Sequence, residues 1–107
     1  MINAEFFVTE DSNIIVGFHI YGHSGMAESG NDIICAFVSS AAYMAANTIT
    51  DIIHAKAEVT TDDGDMYVMV EKKDAASCRD VLAGLKLHLV NTEEQYPQFL
   101  QVNYTEV

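Results

Sequence analysis

Basic residues are scarce in this sequence. Five Lys and Arg stand against sixteen Asp and Glu, a formal charge of −11 at pH 7. So acidic a surface repels phosphate backbones, which argues against direct nucleic-acid binding, and it attracts a cationic partner instead. Cysteine is equally sparse: Cys35 and Cys78 stand alone, 43 positions apart. They make neither a C-x-x-C motif nor a disulfide framework. The opening carries no basic segment followed by an apolar one, because Glu5 and Glu10 interrupt its early apolar residues. The longest apolar run, around Cys35 to Ala46, contains Ser39, Ser40 and Tyr43 and is expected to be too short to span a bilayer. Together these absences predict a cytoplasmic protein with no membrane partner, whose thiols stay reduced.

What is present is apolar bulk. Half of the 107 residues are hydrophobic, enough for one domain over 1–107 with a continuous core and no metal or disulfide staple. Ile2, Ala4, Phe6 and Val8 alternate as a first strand; Ile14, Val16, Phe18 and Ile20 alternate as the second arm of a hairpin. Asn31 or Asp32 is positioned to cap a helix running to about Ile53. That helix is apolar around so much of its circumference that burial on several sides is expected. A second hairpin follows, His54 to Thr61 and Met66 to Glu71, turning at Asp62, Asp63 and Gly64. Cys78, Val81, Leu82, Leu85 and Leu89 then fall at helical spacing from about Ala75 to Glu94. The single proline, Pro97, marks that helix's end, and Phe99 to Thr105 reads as a last strand. The order ββαββαβ predicts an α+β fold: one mixed or antiparallel sheet with both helices on one face.

The segment GHSGMAESGNDIIC, residues 22 to 35, is where chemistry concentrates. A helix starting near Asp32 puts Cys35 in its first turn, where unpaired N–H groups and the macrodipole favour a thiolate. His23 follows the second strand, and a returning loop would set its ring beside the sulfur as base and later acid. Gly22, Gly25 and Gly30 let that loop turn tightly and move. N–H groups near Cys35 would serve as oxyanion donors. The pattern alone also fits a cysteine that is simply buried and a histidine at the surface, the commoner reading of each residue. His19, His23 and Cys35 form an irregular set for zinc, with no fourth ligand in view. Ser24 to Asn31 has little to bury, and is expected to be mobile and to close over bound peptide.

Gly22-His23, then Gly30, then Asp32-Ile33-Ile34-Cys35-Ala36 resembles the signature of the ribosomal-processing cysteine protease family, Prp. The late helix with Thr92 to Tyr96 and the closing Val102-Asn103-Tyr104 are similar as well. Ser24 and Ile34 depart from the residues common there. The resemblance implies a cysteine endopeptidase that removes the N-terminal extension of a large-subunit ribosomal protein during ribosome assembly in Firmicutes-type bacteria. By that resemblance Cys35 is the nucleophile and His23 the base, Asp32 and Ser39 match supporting positions, and the enzyme is a homodimer. No cofactor and no metal are required. The substrate would be a basic ribosomal protein. Asp32 reads as a cap or loop-fixing residue before a third triad member. Cys78 reads as an inert core thiol, and His19, Tyr21, His54 and His88 as surface or half-exposed positions. Phe37, Tyr43 and Tyr104 are expected in the core or an interface, and Asp62, Asp63 and Asp65 in a solvated turn. The alternative is a non-catalytic ribosome-associated binding or assembly module in which Cys35 is merely buried; alkylation of Cys35 but not Cys78 separates the two.

Overall fold

The computed structural model describes residues 1–23 and 32–107. Strands β1 (Ile2–Val8) and β2 (Ile15–Gly22) pair antiparallel, with Phe6 opposite Phe18 and Ala4 opposite Ile20. Ile2, Ala4, Phe6, Phe18 and Ile20 are all buried in the main core, as period-two alternation requires. The alternation fails at one end of β2. The register shifts between Phe7 and Val8, so Val8 meets Ile15 and Val16 is the extra residue of a bulge. Phe18 and Ile20 therefore enter the main core, whereas Val16 packs with Phe7 and Ala75 in a smaller cluster edged by Ile14.

Helix α1 (Ile33–Asn47) continues through a π-helical turn, Thr48–Ile52. Ile34, Val38, Ala42, Ala45, Ala46 and Ile49 are buried, while Ile33 (72%), Phe37, Met44 and Ile52 (73%) are exposed. The expected burial on several sides is thus corrected to one side within this chain. With a single helical layer, only the sheet and the second helix cover α1. The expected shortness of the apolar run is corrected too. Ser39, Ser40 and Tyr43 do not interrupt the helix, and Ile33–Ile52 is long and apolar enough, by length and composition alone, to cross a membrane. Its buried residues nevertheless belong to the core shared with the sheet.

The second hairpin pairs β3 (Ala57–Asp62) with β4 (Asp65–Val70), and Met66, Val68 and Val70 face inward. It begins three residues later than the sequence suggests, because His54 adopts a left-handed φ of 59° and ends the preceding helical segment. A 3-10 turn, Lys72–Asp74, leads into α2 (Ala75–Gln95), whose Cys78, Leu82, Leu85 and Leu89 are fully or almost fully buried. Strand β5 (Leu100–Glu106) then lies parallel to β1, with Leu100 opposite Ile2. Glu93 of α2 accepts a hydrogen bond from Val102 N at 2.7 Å, tying β5 to the helix that precedes it. The sheet order is β3-β4-β2-β1-β5, mixed, with both helices contributing to one core on one face. This is the α+β arrangement expected from the order of elements.

Candidate active site

The sheet order places the end of β2 beside the turn between β3 and β4. Beyond the last β2–β4 pair, Tyr21 with Asp65, the N–H of Gly22 donates to Gly64 O at 3.0 Å. Gly22 has φ +95°, and a Cβ there would lie 2.5 Å from Met1 O. The chain leaves the sheet in a conformation and a space that suit only glycine, and the next residue is His23. The histidine side chain is exposed.

The other half of the site is a helix end. Asp32, only 5% exposed, is the N-cap of α1, with an extended backbone and Oδ1 accepting the N–H of Cys35 at 3.0 Å. This is the ordinary bond from a cap to the third helical residue, so capping alone fixes the distance from Asp32 to Cys35 along the chain. The second oxygen, Oδ2, accepts from Cys35 Sγ at 3.0 Å. One buried carboxylate thereby holds both the backbone and the thiol of Cys35. Across the cleft, His23 Nδ1 stands 3.8 Å from the same Sγ, a sulfur hydrogen bond at long range. Of the first-turn donors expected for an oxyanion, Cys35 N is spent on Asp32 Oδ1 and Ala36 N on Asp32 O at 3.0 Å. Those two groups could serve an oxyanion only by exchanging these bonds.

His23, Asp32 and Cys35 open onto a cavity of about 440 Å³, with Ser39 and Tyr43 of α1 on one side and Thr61 to Met66 on the other. Ser39 lies one helical turn beyond the thiol on the same wall, where the resemblance sets a supporting residue. Gly25 and Gly30, and with them the expected mobile loop over Ser24 to Asn31, lie outside the described residues. Asp62, Asp63 and Asp65 are exposed, as expected of a solvated turn, but they also form a wall of this cavity. Sequence reasoning missed that role. Nothing local announces it, since it depends on β4 pairing with β2.

The remaining polar residues occupy other places. His19 Nε2 lies 3.0 Å from Asp65 Oδ1, and its ring is 4.6 Å from that of Tyr21. Among the described residues no group of three or more His, Cys, Asp or Glu is arranged to hold a metal. His54 is exposed at an element end, and His88 is exposed but stacks on Phe37 at 5.0 Å. Phe37, Tyr43 and Tyr104 are each about half exposed, so none is a core residue of this chain. Cys78 is fully buried, and burial, with the charge of Asp74 adding to it, pushes its thiol above the ordinary value.

The fold and the sequence have known counterparts. Staphylococcus aureus ribosomal processing cysteine protease Prp is 25% identical over 85 residues, covering 78% of this chain and 80% of that protein. The crystal structure of S. aureus Prp in complex with a covalently linked product peptide has a TM-score of 0.88 at 23% identity, covering 98% of this chain and all of the other. SMU.848 from Streptococcus mutans shares the fold at a TM-score of 0.80 and 23% identity, over 100% and 96% of the two chains. The family described as Cysteine protease Prp matches residues 1–101, which include both hairpins, both helices, the cap and the thiol. Matched over all but its last six residues, this chain belongs to the Prp family of cysteine proteases.

Proposed function

We propose that the chain is an endopeptidase working through a Cys35–His23 dyad, and that it removes the N-terminal extension of a large-subunit ribosomal protein. The observation that carries this reading is the approach of His23 Nδ1 to Cys35 Sγ in a cleft large enough for a peptide segment. His23 takes the thiol proton as the sulfur attacks the scissile carbonyl carbon. The tetrahedral adduct collapses as the imidazolium gives that proton to the leaving amine, leaving a thioester on Cys35. Water, deprotonated by the same imidazole, then releases the carboxylic acid and restores the thiol. Asp32 supports the dyad by holding the start of α1 and the sulfur in register, and Ser39 lines the cleft beside it.

The substrate class is supported by the relatives. The curated S. aureus protein is a ribosomal processing protease, and S. aureus Prp has been crystallised with a substrate peptide (TM-score 0.84, 22% identity). A basic ribosomal protein also suits a chain of charge −11, which speeds encounter with cations and discourages contact with RNA. This reading sets the enzyme in the cytoplasm, where ribosomes assemble and thiols remain reduced. It also works as a homodimer. From Ile33 to Ile52 only Asp51 is charged, and the exposed Ile33, Phe37 and Met44 of α1 offer an apolar surface for a second copy.

Incubating the protein with a large-subunit ribosomal protein that carries its N-terminal extension, and reading intact mass, tests the proposal. Wild type should release the extension. Cys35→Ala and His23→Ala should lose most or all cleavage while folding normally. Unimpaired turnover by Cys35→Ala sinks the mechanism. Protection of Cys35 from iodoacetamide equal to that of Cys78 favours the binding-module alternative.

A further inference from the structure

His23 is exposed, and an exposed imidazole ordinarily samples several rotamers. Here one edge of the ring rests on a backbone. The β3–β4 turn reverses at Gly64, which has φ +70°. A Cβ at Gly64 would lie 2.9 Å from His23 Nε2 and 3.2 Å from Cε1, closer than such atoms pack. The imidazole therefore fills the space that a side chain at 64 would need. Its other nitrogen, Nδ1, faces Cys35 Sγ at 3.8 Å. The same turn also holds the root of the histidine, because Gly64 O accepts the N–H of Gly22. A single residue thus meets both the strand end from which His23 springs and the edge of its ring remote from sulfur.

We propose that Gly64 is a positioning residue for the His23 imidazole: its missing side chain leaves the slot in which the ring settles with Nδ1 toward Cys35. The inference rests on His23 acting as the base of the dyad. Any side chain at 64 takes the slot and forces the ring to shift by a few tenths of an ångström or to change rotamer. The ring is the end of a flexible, solvent-facing side chain, so the fold accommodates the displacement. Proton transfer does not, since rates fall steeply when reacting groups are misplaced.

The test uses the full chain with Gly64→Ala, and with Gly64→Asn because asparagine enters the left-handed region with little strain. Cleavage of a peptide spanning the ribosomal-protein extension, thermal melting and iodoacetamide labelling of Cys35 are measured in wild-type and His23→Ala backgrounds. Gly64→Asn should melt close to wild type yet lose kcat on the order of 10–100-fold, with KM little changed. Cys35 labelling should change with Gly64→Asn when His23 is present and not when it is absent. Normal kcat in Gly64→Asn overturns the inference, as does a loss confined to KM or a labelling effect of equal size without His23. If His23→Ala is inactive while Gly64→Asn turns over normally, the dyad stands and only the role of Gly64 falls. If His23→Ala itself cleaves normally, the dyad falls and the inference with it.

Discussion

Removing the carboxylate of Asp32 strips the start of α1 of two acceptor contacts at once. Its Oδ1 satisfies the N–H of Cys35 and its Oδ2 takes the thiol, both at 3.0 Å, from a side chain almost out of water. Loss of an N-cap hydrogen bond costs about 1 kcal/mol, and loss of a negative charge at a helix N-terminus about 0.5 kcal/mol. Asp32→Ala should therefore destabilise the protein by roughly 1.5 kcal/mol. With an unfolding entropy of about 2.1 cal/mol/K per residue, a chain of this size loses about 7 °C in Tm. Asp32→Asn keeps the bond to Cys35 N but loses the charge and, with an NH2 in place of Oδ2, the acceptor for the thiol; a thiol is a weak donor, so its Tm should drop by about 2 °C. Circular-dichroism melts of the two variants at low ionic strength measure both values. An Asp32→Ala protein that melts with wild type, or an Asp32→Asn protein that falls as far as Asp32→Ala, refutes this account of the helix start. The same pair of variants weighs cap against triad. An aspartate that orients a catalytic histidine loses about 10⁴ in kcat on change to Asn, whereas a cap should keep cleavage within about tenfold.

Burial holds the Cys78 thiol above its ordinary value, so the folded state keeps a proton that the unfolded chain gives up first. The stability this contributes is intact below the unfolded value and is lost as pH rises past about 9; Tm should decline there less steeply in Cys78→Ala, and parallel declines in both proteins would remove Cys78 from the explanation. If the acidic surface recruits a basic substrate, kcat/KM should fall as salt rises, through association; a flat profile would assign the charge to solubility alone. If the proposed homodimer forms through the exposed face of α1, Phe37→Glu or Met44→Glu should shift sedimentation from dimer toward monomer; an unchanged mass would count against that contact.

How legible all this is from sequence depends on the range of the interaction involved. The placing of Cys35 against Asp32 is readable because an N-cap acts across three residues. Ile2, Ala4 and Phe6 were readable because a half-buried strand repeats every two residues. The bulge at Val16 was not, since a single extra residue leaves the apolar pattern intact while changing what lies opposite. The acidic turn was correctly seen as a turn but not as a cleft wall, because only the pairing of β4 with β2 carries it there. Phe37 and Met44 show the limit from another side. Periodicity reveals that a face is apolar, not whether this chain supplies its cover.

Strand β1 takes its partners from opposite ends of the sequence: β2 follows directly, but Leu100, which pairs with Ile2, lies 98 positions away. A chain made from its N-terminus therefore carries His23 and Cys35 long before the cleft they share with the second hairpin is complete. The cavity wall from Thr61 to Met66 exists only once the second hairpin has docked on β2, and β1 keeps one edge open until the last strand arrives. Closing so long a loop is entropically slow and comes late in folding. The order of synthesis thus separates the appearance of the Cys35 thiol from the completion of the cleft it opens onto, and an incomplete chain carries that thiol without the walls around it.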